Sequence, residues 1–271
     1  MSTTRVQRFG AHGPVGAINQ IVILESLPDG ERKTGGLLWE DLEPMILPYG
    51  IHLQLHYKTA GSATEFEALL RDLWAFVDID HRAPWLQIEC HGGREGLQFA
   101  DGSIMPWSDL KPLLMAINHA SRMNLFLVLA CCHGGWFATE CRYDEQVPFA
   151  WMLGPGDAIR PTPLYSLMAN FWGTALKVRD VTVALTAAGA AVPHVSYISF
   201  SAVGVFRTAL AARIRARIGT PGANLRDEEP LFDQYRMKYF ALDEFPENAS
   251  RFGITYAEVL EQVRRNGTAA F

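Results

Sequence analysis

Residues Ile18-Asn-Gln-Ile-Val-Ile-Leu24 form a short apolar, β-branched run, of the kind that fills a strand buried on both faces. Pro28-Asp29-Gly30 supplies a turn after it. From Thr34 to Leu47 the residues Leu37, Leu38, Leu42, Met45 and Ile46 line one helical face, and Pro48 and Gly50 end the helix. Ile51 to Tyr57 alternates at period two, and Phe66, Leu69, Leu70 and Leu73 mark the inner stripe of a helix from Ser62 to about Val77. Trp85–Cys90, a helix from Trp107 to His119, and Asn124–Ala130 continue the alternation. Strands separated by helices imply a largely parallel sheet covered on both faces, with chemistry collected at the carboxyl edge.

The chain has 271 residues, of which 49% are hydrophobic and 20% charged, enough for one large or two small domains with a buried core. Lys and Arg number 24 against 29 Asp and Glu, for a formal charge of −5, which offers no field for phosphate backbones and argues against nucleic acid. The first twenty residues lack the apolar stretch of a secretory signal, and no uncharged apolar run approaches a membrane span. The expectation is a cytoplasmic protein, without membrane contact, whose four cysteines are reduced thiols.

Two strands end on conspicuous residues, Cys90-His91-Gly92-Gly93 and Cys131-Cys132-His133-Gly134-Gly135. A cysteine nucleophile needs a base or charge partner, backbone N–H groups for an oxyanion, and little bulk where substrate backbone must lie. Both junctions meet that description, and neighbouring parallel strands would set them side by side.

These residues resemble the caspase-like cysteine peptidases. Ile88-Glu-Cys-His-Gly-Gly-Arg-Glu-Gly96 is similar to their strand ending in His-Gly, and Leu129-Ala-Cys-Cys-His-Gly-Gly135 to their cysteine strand. Metacaspases carry a Cys-His-Ser-Gly run, and this chain has Gly134 in place of the Ser. Phe149–Asp157, Leu167–Trp172 and Asp180–Leu185 resemble later blocks of CHAT domains, although the loop before Leu164 is longer than usual there. The resemblance runs from about Ile18 to Phe206. It implies an α/β fold, a caspase-like three-layer α-β-α sandwich with a mostly parallel central sheet of about six strands.

The same resemblance implies an endopeptidase acting on protein or peptide substrates, with Cys132 as nucleophile, His91 as general acid/base, and the backbone N–H groups of Gly92 and Cys132 as oxyanion hole. No cofactor is needed, and no third acidic residue is assigned. Asp157 is a candidate substrate-binding residue for Arg or Lys before the scissile bond, against the plainer reading of a turn residue. Control is expected from outside, by an activating protease nicking the polar Ala138–Gln146 loop or by a regulatory protein. Bacterial caspase-like proteins of this size often belong to defence or cell-death systems, and the resemblance extends that expectation to this chain. A catalytically inactive scaffold that binds a partner is the alternative.

Cys131 is the rival nucleophile. Strand side chains alternate faces, so only one of the pair can meet His91, and the resemblance selects Cys132, leaving Cys131 buried. Cys90, Cys131, Cys132, His91 and His133 could together bind zinc, but adjacent strand residues point opposite ways and no Cys-x-x-Cys spacing exists. Cys90 is expected in the core, His133 near the site mouth, Glu89 on a solvated edge and Asp101 in an Asp-Gly turn. His52 and His56 read as structural histidines on a strand, His194 as a loop residue, and Arg207, Arg213, Arg215 and Arg217 as a solvated helix face. The division expected is a tail over 1–17, a peptidase-like domain over 18–218 and a C-terminal extension over 219–271.

Overall fold

Among the described residues, β1 (Gln20–Ser26), β2 (Gln54–Thr59), β3 (Pro84–Gly92), β6 (Phe126–Ala130), β7 (Trp151–Pro155) and β8 (Tyr197–Ser201) form the central sheet. Their spatial order is β2-β1-β3-β6-β7-β8. A small hairpin, β4 (Gly96–Gln98) and β5 (Ile104–Pro106), pairs onto the end of β3. β2, β1, β3, β6 and β7 run parallel, and β8 closes the far edge antiparallel to β7. The computed structural model describes residues 19–80, 82–218 and 228–267. The expected tail over 1–17, and residues 219–227 at the start of the expected extension, lie outside the described residues.

The apolar runs segregate by period two into two cores. Ile21, Ile23, Trp85, Phe126 and Val128 face one side, beneath α1 (Thr34–Ile46), α4 (Pro161–Val178) and α5 (Val181–Ala191). Val22, Leu24, Leu86, Ile88, Leu127 and Leu129 face the other, beneath α2 (Ala63–Asp80), α3 (Trp107–Ala120) and α6 (Ala202–Ile218). The result is a three-layer α/β sandwich. On the first side Trp85 stacks on Phe126 at 4.4 Å between ring centres, and Trp172 lies 5.1 Å from Trp85. Such pairs add about 0.5–1.5 kcal/mol each beyond area burial.

After the domain expected to end near 218, α7 (Glu228–Tyr239), α8 (Asn248–Arg251) and α9 (Tyr256–Gly267) add to the second core. Phe232, Tyr239, Phe240 and Phe252 join Phe206 there in a chain of ring contacts. Among the described residues no helix is long and apolar enough to cross a membrane.

Several boundaries differ from the periodicity. The strand expected from Ile51 begins at Gln54, because residues 47–52 wind as a 3-10 turn in which Gly50 has φ +56°. His52 therefore lies exposed in that turn and not on a strand. Val181–Ala191, for which no period was assigned, is helical because the Asp180 carboxylate accepts the Thr182 and Val183 N–H groups, a side-chain N-cap. The arginine face is solvated only in part: Arg213 stacks over Tyr143 and Tyr235, filling the gap between α6, the 141–146 loop and α7.

Candidate functional site

β3 and β6 are parallel neighbours with Glu89 opposite Ala130, so the two conspicuous strand ends meet at the carboxyl edge of the sheet. Their approach is close enough to dictate a glycine. A β-carbon on Gly92 would lie 2.3 Å from the Cys132 carbonyl oxygen and 2.9 Å from Cys131 Sγ. The alternation of the strands sorts the sulfurs as expected. Cys90 and Cys131 are buried together in the core beneath α2 and α3, where burial and the neighbouring Cys131 thiol push the Cys90 thiol well up. Cys132 is only half-buried and turns to Ile159, on the loop that leads into α4.

His91 and Cys132 thus sit at adjacent strand ends, and each holds its own partner. His91 Nε2 lies 3.1 and 3.0 Å from the two carboxylate oxygens of Glu31, in the loop between β1 and α1. Both side chains are 44% exposed, so as a stabilising ion pair this contact contributes at most about 1 kcal/mol. The Ile159 N–H donates to Cys132 Sγ at 3.3 Å, and the Ile159 carbonyl lies 3.5 Å from the same sulfur. Among the described residues, His91 and Cys132 share no hydrogen bond with each other.

Beyond Cys132 the chain reverses sharply. His133 adopts φ +58°, and its N–H donates to the Asp157 carbonyl at 3.1 Å, tying the turn to the loop after β7. Its Nδ1 is buried without a hydrogen-bond partner. Gly134 must lack a side chain, since a β-carbon would stand 2.5 Å from the Leu129 carbonyl oxygen. Trp136 follows on a 3-10 turn and donates its indole N–H to the Gly156 carbonyl at 3.1 Å, with the Arg94 guanidinium 4.7 Å from its ring centre.

Trp136 also walls a cavity of about 650 Å³, whose lining includes Ile198, Phe200, Val205 and, as an exposed acid, Asp157. Among the described residues, the lining therefore combines an apolar interior with one carboxylate.

Glu89 corrects the expectation of a solvated edge: it is 2% exposed. β3 is central and α1 starts directly above it, so the Thr34 hydroxyl donates to Glu89 Oε2 at 2.6 Å and the Gln87 amide to Oε1 at 2.5 Å. Trp172 donates its indole N–H to Gln87 and completes the chain. Burial raises the Glu89 carboxyl to about 8, against the lowering effect of those two donors. Beside it, Glu25 accepts the Gly35 N–H at 2.8 Å and the Tyr57 hydroxyl at 2.5 Å, and burial together with Glu25 holds the Tyr57 phenol far above its ordinary range. The signal was present in the sequence. Gln87 and Glu89 at alternate positions of a strand too apolar to be solvated require buried partners.

The remaining candidates are plainer. Asp101 is exposed in its turn and accepts the Ser103 N–H at 2.8 Å. His56 is half-buried with its Nε2 3.3 Å from Gln54, and burial lowers its titration. His194 is exposed in the loop before β8. Among the described residues no three His, Cys, Asp or Glu side chains are grouped so as to hold a metal ion. No protein-family model matches the chain, and no curated protein is significantly similar to it. Glu31 was missed because nothing local marks an acid in a turn as the neighbour of a residue sixty positions away.

Proposed function

We propose that this chain is a caspase-like cysteine endopeptidase working through Cys132 and His91. The observation that carries the reading is the contact of Gly92 with the Cys131–Cys132 backbone at the carboxyl edge of a mostly parallel sheet. It puts a thiol, an imidazole and glycine-flanked backbone within one small region of the edge, the ingredients that acyl transfer needs.

In this reading His91 takes the proton of the Cys132 thiol and the resulting thiolate attacks the scissile carbonyl carbon, forming a C–S bond, while the developing oxyanion is held by the Gly92 and Cys132 N–H groups. The C–N bond then breaks and His91 gives a proton to the leaving amine. Water, deprotonated by His91, hydrolyses the thioester and returns the thiol. The chemistry calls for no cofactor. It requires a reduced sulfur, which suits the cytoplasm. Asp157, at the rim of the 650 Å³ cavity, would select Arg or Lys before the scissile bond. The substrate is a protein or peptide, in a system of the defence or cell-death type.

Control falls to nicking at 138–146 or to a regulatory protein. The loop is clasped: Glu145 pairs with Lys111, Arg142 reaches Asp144 at 2.9 Å and Glu145 at 3.1 Å, and Tyr143 lies under Arg213. Cleavage there requires prior release of the clasp, so the ion pairs favour a regulatory partner as the first event. A second reading, an inactive scaffold, draws on the absence of a direct His91–Cys132 hydrogen bond.

One experiment separates them. The protein is incubated with a proteome-derived peptide pool, new termini are sequenced, and the wild type is compared with Cys132→Ala, Cys131→Ala and His91→Ala. Cleavage lost in the first and third and kept in the second is the expected result. Unchanged termini in Cys132→Ala would remove the peptidase assignment.

A further inference from the structure

We propose that Glu31 is a positioning residue for His91, a third member of the site that holds the imidazole by Nε2 and leaves Nδ1 for the thiol and the leaving amine. This rests on the peptidase reading above. Its basis is geometric: Nε2 sits between both carboxylate oxygens, at 3.1 and 3.0 Å, across sixty residues of chain.

The loop that carries Glu31 is held at both ends and in the middle. β1 ends at Ser26, one residue after Glu25, whose carboxylate accepts the Gly35 N–H at the start of α1. The Thr34 hydroxyl is bonded to Glu89, two residues before His91 on the same strand. Between these anchors the Glu31 N–H donates to the Pro28 carbonyl at 3.3 Å, and the Lys33 ammonium donates to the carbonyls of Leu27 and Pro28. The buried pair Glu25 and Glu89 therefore pins the start of α1 to the strand that bears His91, and the acid rides on that frame.

A carboxylate on one ring nitrogen does two things for a base that works through the other. It fixes the ring plane and it stabilises the imidazolium formed as protons move. An exposed ion pair does little for folding, so its effect should appear in the reaction and not in stability.

The test uses the full chain and the best peptide from the termini screen, with Glu31→Ala, Glu31→Gln and Glu31→Asp beside Cys132→Ala and His91→Ala. Glu31→Ala should lower kcat by about 10²-fold, the effect of losing orientation at a reacting group. KM should stay within about twofold and the melting temperature within about 3 °C, since only a surface pair is lost. Glu31→Asp should recover part of kcat, and Glu31→Gln less, because it keeps an acceptor without the charge. Independently of turnover, the imidazole N–H should give a low-field proton resonance in the wild type that is absent in both His91→Ala and Glu31→Ala.

If Cys132→Ala silences cleavage while Glu31→Ala keeps wild-type kcat, Glu31 is a bystander and the peptidase reading stands. If neither Cys132→Ala nor His91→Ala affects cleavage, the peptidase reading falls, and the low-field resonance alone decides the pairing. Its absence from the wild type would overturn the proposal, and its loss in Glu31→Ala would uphold the orienting contact.

Discussion

The α-carbon of Gly92 faces the carbonyl oxygen of Cys132 so closely that a β-carbon would stand 2.3 Å from it. Backbone occupies that space, so no rotamer change can relieve the clash. Gly92→Ala is expected to destabilise the fold by about 1–3 kcal/mol, the usual range for overpacking, and to abolish cleavage by separating the strand ends. Gly93, whose β-carbon would meet nothing within 4 Å, is the control: Gly93→Ala should stay within about 0.5 kcal/mol. Chemical denaturation of the two variants measures the contrast.

The four thiols should differ sharply toward iodoacetamide. Cys90 and Cys131 are buried, and Cys141, its thiol raised to about 12 by burial, stays protonated through the neutral range. Cys132, half-buried and bonded to a backbone N–H, is expected to be labelled first in the folded protein. Peptide mass mapping after brief alkylation reads this directly. Prior labelling of Cys131 would reverse the assignment of the two faces.

Stability should fall as pH rises across the range set by Glu89. Its folded carboxyl lies near 8 against 4.5 for the free group, so between those values the folded state holds a proton that the unfolded state has lost. Stabilisation from this group is complete below about pH 4.5 and declines as pH rises toward 8, by about 3–5 kcal/mol. Glu89→Gln removes the titration. Urea midpoints measured from pH 5 to 8 should slope downward more steeply in the wild type than in the variant.

Among the described residues, Asp157 is the one acid lining the Trp136 cavity. Asp157→Ala should therefore lower kcat/KM for peptides with Arg before the scissile bond by about 10–100-fold, the value of a charge-assisted hydrogen bond, with little change for Leu. Competition assays on matched peptides check it, and an equal loss for both peptides would make Asp157 a structural turn residue.

The layered architecture was legible in the sequence because its signals are local. The buried run Ile21–Leu24, the stripe of Leu38 and Leu42, and the period of Leu127 and Leu129 each announce an element and a face within a few residues. That Cys131 and Cys132 part to opposite faces was legible from alternation, although β6 ends at Ala130 and the family resemblance chose between the two. Turns and caps were less legible: the 3-10 turn over 47–52 and the helix begun by Asp180 depend on one backbone angle or one side-chain bond, which hydrophobic period does not encode.

The amino-acid order by itself thus determined the alternation of strands and helices as far as Ala130, and that a histidine and a cysteine stand among glycines at the ends of two of those strands. Only the tertiary structure decided that these strands are neighbours, that Glu89 is buried beneath α1, and that Glu31 comes to rest on His91. The reason is physical. Alternation and helical period are properties of consecutive residues, whereas strand order, the burial of a carboxyl and the meeting of residues sixty positions apart arise from which faces the packed layers cover.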